Sequence, residues 1–93
     1  MKLDEQYFPA RSKYFEEDYV RLVKKNKGLQ ERIDKKILQV LKNPNAHKNL
    51  KRPLQRYKEA HIDPFVMTFR IEGNVVKFAR IEHHDKIFGL PHE

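Results

Sequence analysis

From Ser12 to Lys27 the apolar residues fall at Phe15, Tyr19, Leu22 and Val23. That is the i, i+4, i+7, i+8 stripe of a helix with one face against a core. Glu16, Glu17 and Asp18 near its start and Lys24, Lys25 and Lys27 near its end suit the helix dipole. Gly28 can take the left-handed turn that stops it. A second stripe, Ile33, Ile37, Val40 and Leu41, predicts a helix from about Leu29 to Lys42. Asn43-Pro44 ends that one, because the residue before proline avoids helical geometry. So short a connection makes the two helices antiparallel neighbours. Ahead of them, "QYF" (6–8) reads as a short strand ended by Pro9.

The period then changes from 3.6 to 2. "FVMTFRI" (65–71) and "VVKFARI" (75–81) flank a turn at Gly73-Asn74, the pattern of a hairpin. A two-residue turn there pairs Ile71 with Val76, Phe69 with Phe78 and Met67 with Arg80. The first two pairs give the helices an apolar face, and Phe65 should pack there with Met67 and Phe69. On the other face Arg70 meets Lys77, Thr68 meets Ala79 and Val66 meets Ile81. Directly opposed cations repel, so Arg70 and Lys77 either splay into solvent or hold an anion between them. "EAHID" (59–63) adds a strand before Pro64. The expected fold class is α+β, a single domain spanning 1–93. Two N-terminal antiparallel helices pack on one face of a small antiparallel β-sheet, and the other face is basic and open.

Charge adds a partner to this outline. Twenty Lys+Arg against thirteen Asp+Glu give a net charge of +7. "HKNLKRPLQRYK" (47–58) carries Lys48, Lys51, Arg52, Arg56 and Lys58 with no acid. Such a segment suits a nucleic acid, an acidic protein, or simply solvation of a loop. The absence of cysteine excludes a disulfide framework and a thiolate metal site, and fits a reducing cytoplasm. With no apolar run of 18 residues and no signal-like start, a cytoplasmic location without membrane association is expected.

His83, His84 and Asp85 invite a metal reading, but successive strand residues face apart and nothing completes a tetrahedral set. No metal and no small-molecule cofactor is expected. His83 reads as structural, and His92 as part of a mobile tail.

Two helices, "LKNP", a basic crossover with "LKRPLQRY", then "HIDPFVMTFRI" and "RIEHHDKIFG" together resemble the RelE/ParE toxin superfamily, and within it the YafQ-like branch. The likeness runs from about Tyr7 to Gly89. Its specific parts are "HI-acid-P" at 61–64 and "H-x-x-[IL]-F-G" at 84–89. The resemblance implies a RelE-like toxin of a type II toxin–antitoxin pair, an mRNA interferase that cuts mRNA on the ribosome. It also implies a small acidic antitoxin as partner. Residue by residue, it implies site roles for His61 and His84, and for Phe88 as the aromatic that supports a bound nucleotide. A catalytic histidine of the crossover falls at Lys48, with His47 beside it. Polar family positions in the strand are filled by Phe65 and Val66.

Cleavage without a metal requires a base for the ribose 2′-OH, an acid for the departing 5′-oxygen and positive charge on the phosphorane. Histidine suits both proton roles. His84, His61 and His47 are the catalytic candidates. Lys48, Lys51, Arg52, Arg70, Lys77 and Arg80 are available for the phosphates, and Phe88 for stacking on a base. Two other readings share the fold: a ParE-like gyrase inhibitor without nuclease residues, and a toxin relative that has lost activity.

Overall fold

A computed structural model describes residues 6–92. The order of elements is β1 (Phe8–Arg11), α1 (Lys13–Lys25), α2 (Leu29–Lys42), β2 (Lys58–Ile62), β3 (Phe65–Glu72) and β4 (Val75–His83), with short 3₁₀ turns at Pro44–Ala46 and Ile87–Gly89. The strands form one sheet in the order β1-β4-β3-β2. The β2–β3 and β3–β4 pairs are antiparallel, whereas β1 lies parallel to β4, so the sheet is mixed rather than wholly antiparallel.

The first strand also runs further than its sequence suggests. Pro9 lies inside β1 instead of ending it. An edge strand tolerates proline because one side of its backbone has no ladder to serve. Ser12 then caps α1: its Oγ accepts the Phe15 N–H at 3.0 Å and donates to the Ala79 carbonyl at 2.7 Å. One hydroxyl thus starts the helix and ties it to β4. Gly28 sits between the helices at φ +80°, the left-handed conformation that the tight connection requires.

Phe15, Leu22, Leu29, Ile33, Ile37 and Val40 of the helices bury themselves against Phe65, Met67, Phe69, Val76, Phe78 and Ile81 of the sheet. The hairpin pairs Ile71 with Val76, Arg70 with Lys77 and Phe69 with Phe78, as the turn predicts. Beyond Phe69 the register shifts by one at a bulge, so that Thr68 meets Arg80, Met67 meets Ile81, Val66 meets Glu82 and Phe65 meets His83. Strict alternation would have turned Arg80 into the core and Ile81 out of it. The extra residue, Ala79, reverses that.

The sheet's other face is not open. Leu50 and Tyr57 of the crossover pack on Ala79, with Leu54 against them, and Val66, Thr68 and Ile87 are buried as well. At the far end of the chain, His92 places its ring 5.0 Å from that of Tyr57 and is half-buried rather than a free tail. The Arg80 guanidinium holds this segment by donating to the Pro91 carbonyl at 3.0 Å.

Candidate functional site

The basic crossover is pinned to β2 at both ends. Glu59 N–H donates to the Lys48 carbonyl at 3.0 Å, and Leu50 N–H to the Tyr57 carbonyl at 2.9 Å. The Lys58 ammonium reaches the His47 carbonyl at 2.9 Å and Asn49 Oδ1 at 3.0 Å. These bonds fold residues 48–57 into a lobe that stands beside the sheet. Between lobe and sheet runs a groove of about 470 Å³, lined by Lys48, Asn49, Leu50, Lys51, Arg52, Pro53, Leu54, Glu59 and Phe88. Four sequence candidates, Lys48, Lys51, Arg52 and Phe88, therefore meet in one place, and Phe88 is 54% exposed there. An aromatic ring held out to solvent beside three cations suits a base and its phosphates.

Glu59 is the groove's one acid, and sequence reasoning passed it over. Its Oε1 lies 3.2 Å from Nε2 of His61, which is exposed. The signal was available: residues i and i+2 of a strand share a face, and "E-x-H" sits on β2. A carboxylate and an imidazole within hydrogen-bond reach can pass a proton in either direction.

Other candidates lie elsewhere. His47 and Lys48 follow each other in extended backbone and so face opposite sides. Lys48 takes the groove. His47 turns to the helix side, edge-on to Phe69 with ring centroids 5.5 Å apart. Burial, with help from Lys36 and Lys58, holds its pKa below the ordinary value. It is thus a packing residue. Arg80 is not available to a phosphate either. It is buried, its Nε and Nη2 donating to Asp18 at 2.9 and 2.8 Å, and its guanidinium covers the Tyr14 ring at 4.5 Å. The register shift that sends Ile81 inward is what brings it there. Arg70 does oppose Lys77, but pairs with Glu72 of its own strand, so no bound anion is needed to relieve the two cations.

His84 is not among the residues lining the groove. β4 stops at His83, and strand alternation stops with it. The two imidazoles lie 4.5 Å apart instead of on opposite faces. Asp85 closes the turn, its N–H donating to His83 Nδ1 at 3.1 Å and its carboxylate 3.0 Å from His84 Nδ1. One ligand atom from each of the three residues lies within 4.8 Å of the others. His84 is exposed, anchored by its N–H to the Pro64 carbonyl at 3.0 Å, and stands four residues before Phe88 on the turn that enters the groove.

Residues 11–88 match the family described as the ParE toxin of the type II toxin–antitoxin system parDE. This chain belongs to that family. It is a type II toxin of the RelE/ParE superfamily. An uncharacterized protein of Methanosarcina mazei is 39% identical over 85 residues, covering 88% of this chain and 99% of its own. The candidate toxin RelE4 of Methanocaldococcus jannaschii is 38% identical over 71 residues, 73% of this chain and 76% of its own. Among solved structures, the RelBE2 toxin–antitoxin complex of Mycobacterium tuberculosis superposes with a TM-score of 0.73 at 17% identity, over 85% of this toxin and 99% of that chain. YafQ of E. coli gives 0.66 at 19% identity, over 90% and 100%. At such identities the superpositions show that the toxin has their fold. Among the described residues, no helix is long and apolar enough to cross a membrane.

Proposed function

We propose that this toxin is an endoribonuclease that cuts mRNA during translation by acid–base chemistry of its own side chains. One observation carries the reading: Glu59, which lines a groove together with Lys48, Lys51, Arg52 and Phe88, lies 3.2 Å from the exposed His61. A phosphodiester seated there has its base on Phe88 and its charge among the three cations. The Glu59 carboxylate takes the proton of the 2′-OH, and the 2′-oxygen attacks phosphorus. His61 gives a proton to the departing 5′-oxygen. The products are a 2′,3′-cyclic phosphate and a free 5′-OH. Proton transfer of this kind is worth roughly 10²–10⁴-fold in rate, and the cations add stabilisation of the phosphorane. His84, at the entry to the Phe88 turn, is the second proton-transfer candidate.

The partners in this reading are mRNA on the ribosome and an acidic antitoxin that covers the basic lobe, and the compartment is the cytoplasm. A second reading has its own support. Phe65 and Val66 are buried and apolar where the family resemblance implies polar groups for a nuclease, which favours a toxin that inhibits by binding, as a gyrase inhibitor does.

Inducible expression in a bacterial host, with primer extension across an abundant mRNA, separates the readings. Cuts in the reading frame are expected for wild type and should disappear in His61→Ala. The same assay on His84→Ala decides whether that histidine acts in the chemistry. Growth arrest without cuts would move the target from mRNA to a protein.

A further inference from the structure

Beside Glu59 of the crossover groove stands His61, and His61 lines a second depression. Arg32, Lys35, Lys36 and Gln39 of α2, with His61, Ile62 and Asp63 of the β2 end, line a cleft of about 360 Å³. The four α2 residues recur at i, i+3, i+4 and i+7 and so share one helix face. Arg32 is fixed across the cleft by donating to the Asp63 carbonyl at 2.7 Å. His61 connects the two depressions: it lines this one, and its Nε2 is 3.2 Å from Glu59, which lines the other. Lys36 of this cleft and Lys58 at the start of β2 both lie near His47.

We propose that the α2 cleft is a second phosphate-binding stretch for the same RNA strand. The strand leaves the crossover groove, passes over the β2 edge at His61, and lays its backbone along Arg32, Lys35 and Lys36. The inference rests on the nuclease reading and extends it from one phosphodiester to a track. The two halves divide the work. The crossover groove has the aromatic ring of Phe88 and can hold a base, whereas the α2 cleft has no Phe, Tyr or Trp among its lining residues, and its three cations, Arg32, Lys35 and Lys36, outnumber its one acid, Asp63. It therefore grips backbone without reading sequence. An acidic protein is the poorer occupant, because protein interfaces centre on apolar or aromatic anchors. The one apolar residue lining this cleft, Ile62, is already buried.

Anisotropy titrations with fluorescent single-stranded RNA test the track, using Glu59→Gln protein so that the probe is not cut. A 12-mer should span both depressions, and a 3-mer should fill only the first. Lys35→Gln/Lys36→Gln should weaken the 12-mer about tenfold at moderate salt and leave the 3-mer unchanged. Its dependence of log K on log salt should flatten by about 1.4, two phosphate contacts at about 0.7 each. Lys35→Gln alone should give half that flattening, which guards against a misfolded double variant. Unchanged 12-mer affinity, equal losses for both probes, or a loss confined to antitoxin binding would each overturn the track. Primer extension keeps the two proposals apart. Lys-dependent 12-mer binding by a protein that makes no cuts would retain the track and remove the nuclease.

Discussion

Asp18 takes part in four interactions, all on polar groups beside the edge of β4. It receives Arg80 Nε and Nη2 at 2.9 and 2.8 Å, Arg21 Nη2 at 3.1 Å and the Ile81 N–H at 3.1 Å. In the sequence it reads as one of three acids near a helix start, placed to suit the helix dipole. Only the packing of α1 beside β4, just past the end of β1, makes it a buried counter-ion. Breaking such a pair from one side leaves a charge without compensation, at about 3–5 kcal/mol. Asp18→Ala should therefore lower the urea midpoint by an amount corresponding to that range.

Acid should act on other residues of this region. Burial lowers the pKa of His47 and of His92. Their neutral forms suit the fold, so stability is lost as pH falls below the ordinary histidine value of 6.5. Glu82 is different: burial opposes its charge, but the His83 N–H and Arg21 outweigh it, and its pKa is lowered. Its contribution is present above the ordinary carboxylate range and is lost only as pH falls through the depressed value. The melting temperature should thus fall in two stages, first between about pH 7 and 5 and again below pH 4.5. His47→Gln should flatten the first stage, and a single late transition would contradict the assignment of the histidines.

Ser12 shows how an element is joined to its neighbour. Its hydroxyl caps α1 and also bonds the Ala79 carbonyl, so Ser12→Ala should cost about 2 kcal/mol, the upper end for a cap, read as a shift in thermal midpoint. Both helices and the hairpin turn are legible in the sequence, because each is specified by residues close together. The bulge at Ala79 is not. It settles a competition between turn register and burial of Ile81 against Arg80, and that competition exists only once the helices are in place. The crossover is illegible for another reason. It has no period, and its lobe is built from bonds to β2 and from Leu50 and Tyr57 packing on Ala79. The candidate site divides along the same line. Lys48, Lys51, Arg52, Phe88 and His61 were visible as charge or motif. Glu59 was hidden by its ordinariness, and the roles of His47 and Arg80 depended on which way a backbone turned.

For the molecule as a whole, two layers and one lobe account for the working surface. The helices cover one side of the sheet, and the crossover with the C-terminal segment covers the other. The basic depressions open to a ligand include the seam along the lobe and the α2 cleft next to it. A net charge of +7 concentrates polyanions at such a seam whatever their sequence, so choice of target must come from something other than charge. In the proposed reading, Glu59 and the adjacent His61 cut RNA at this seam. Purified toxin incubated with a short mRNA, with and without ribosomes translating it, tests this directly by mapping the 5′ ends. Cuts that require ribosomes, bear 5′-OH ends and fall at least a hundredfold in His61→Gln are the predicted result. Wild-type rates from a folded His61→Gln variant, or intact mRNA with wild-type toxin on translating ribosomes, would contradict it.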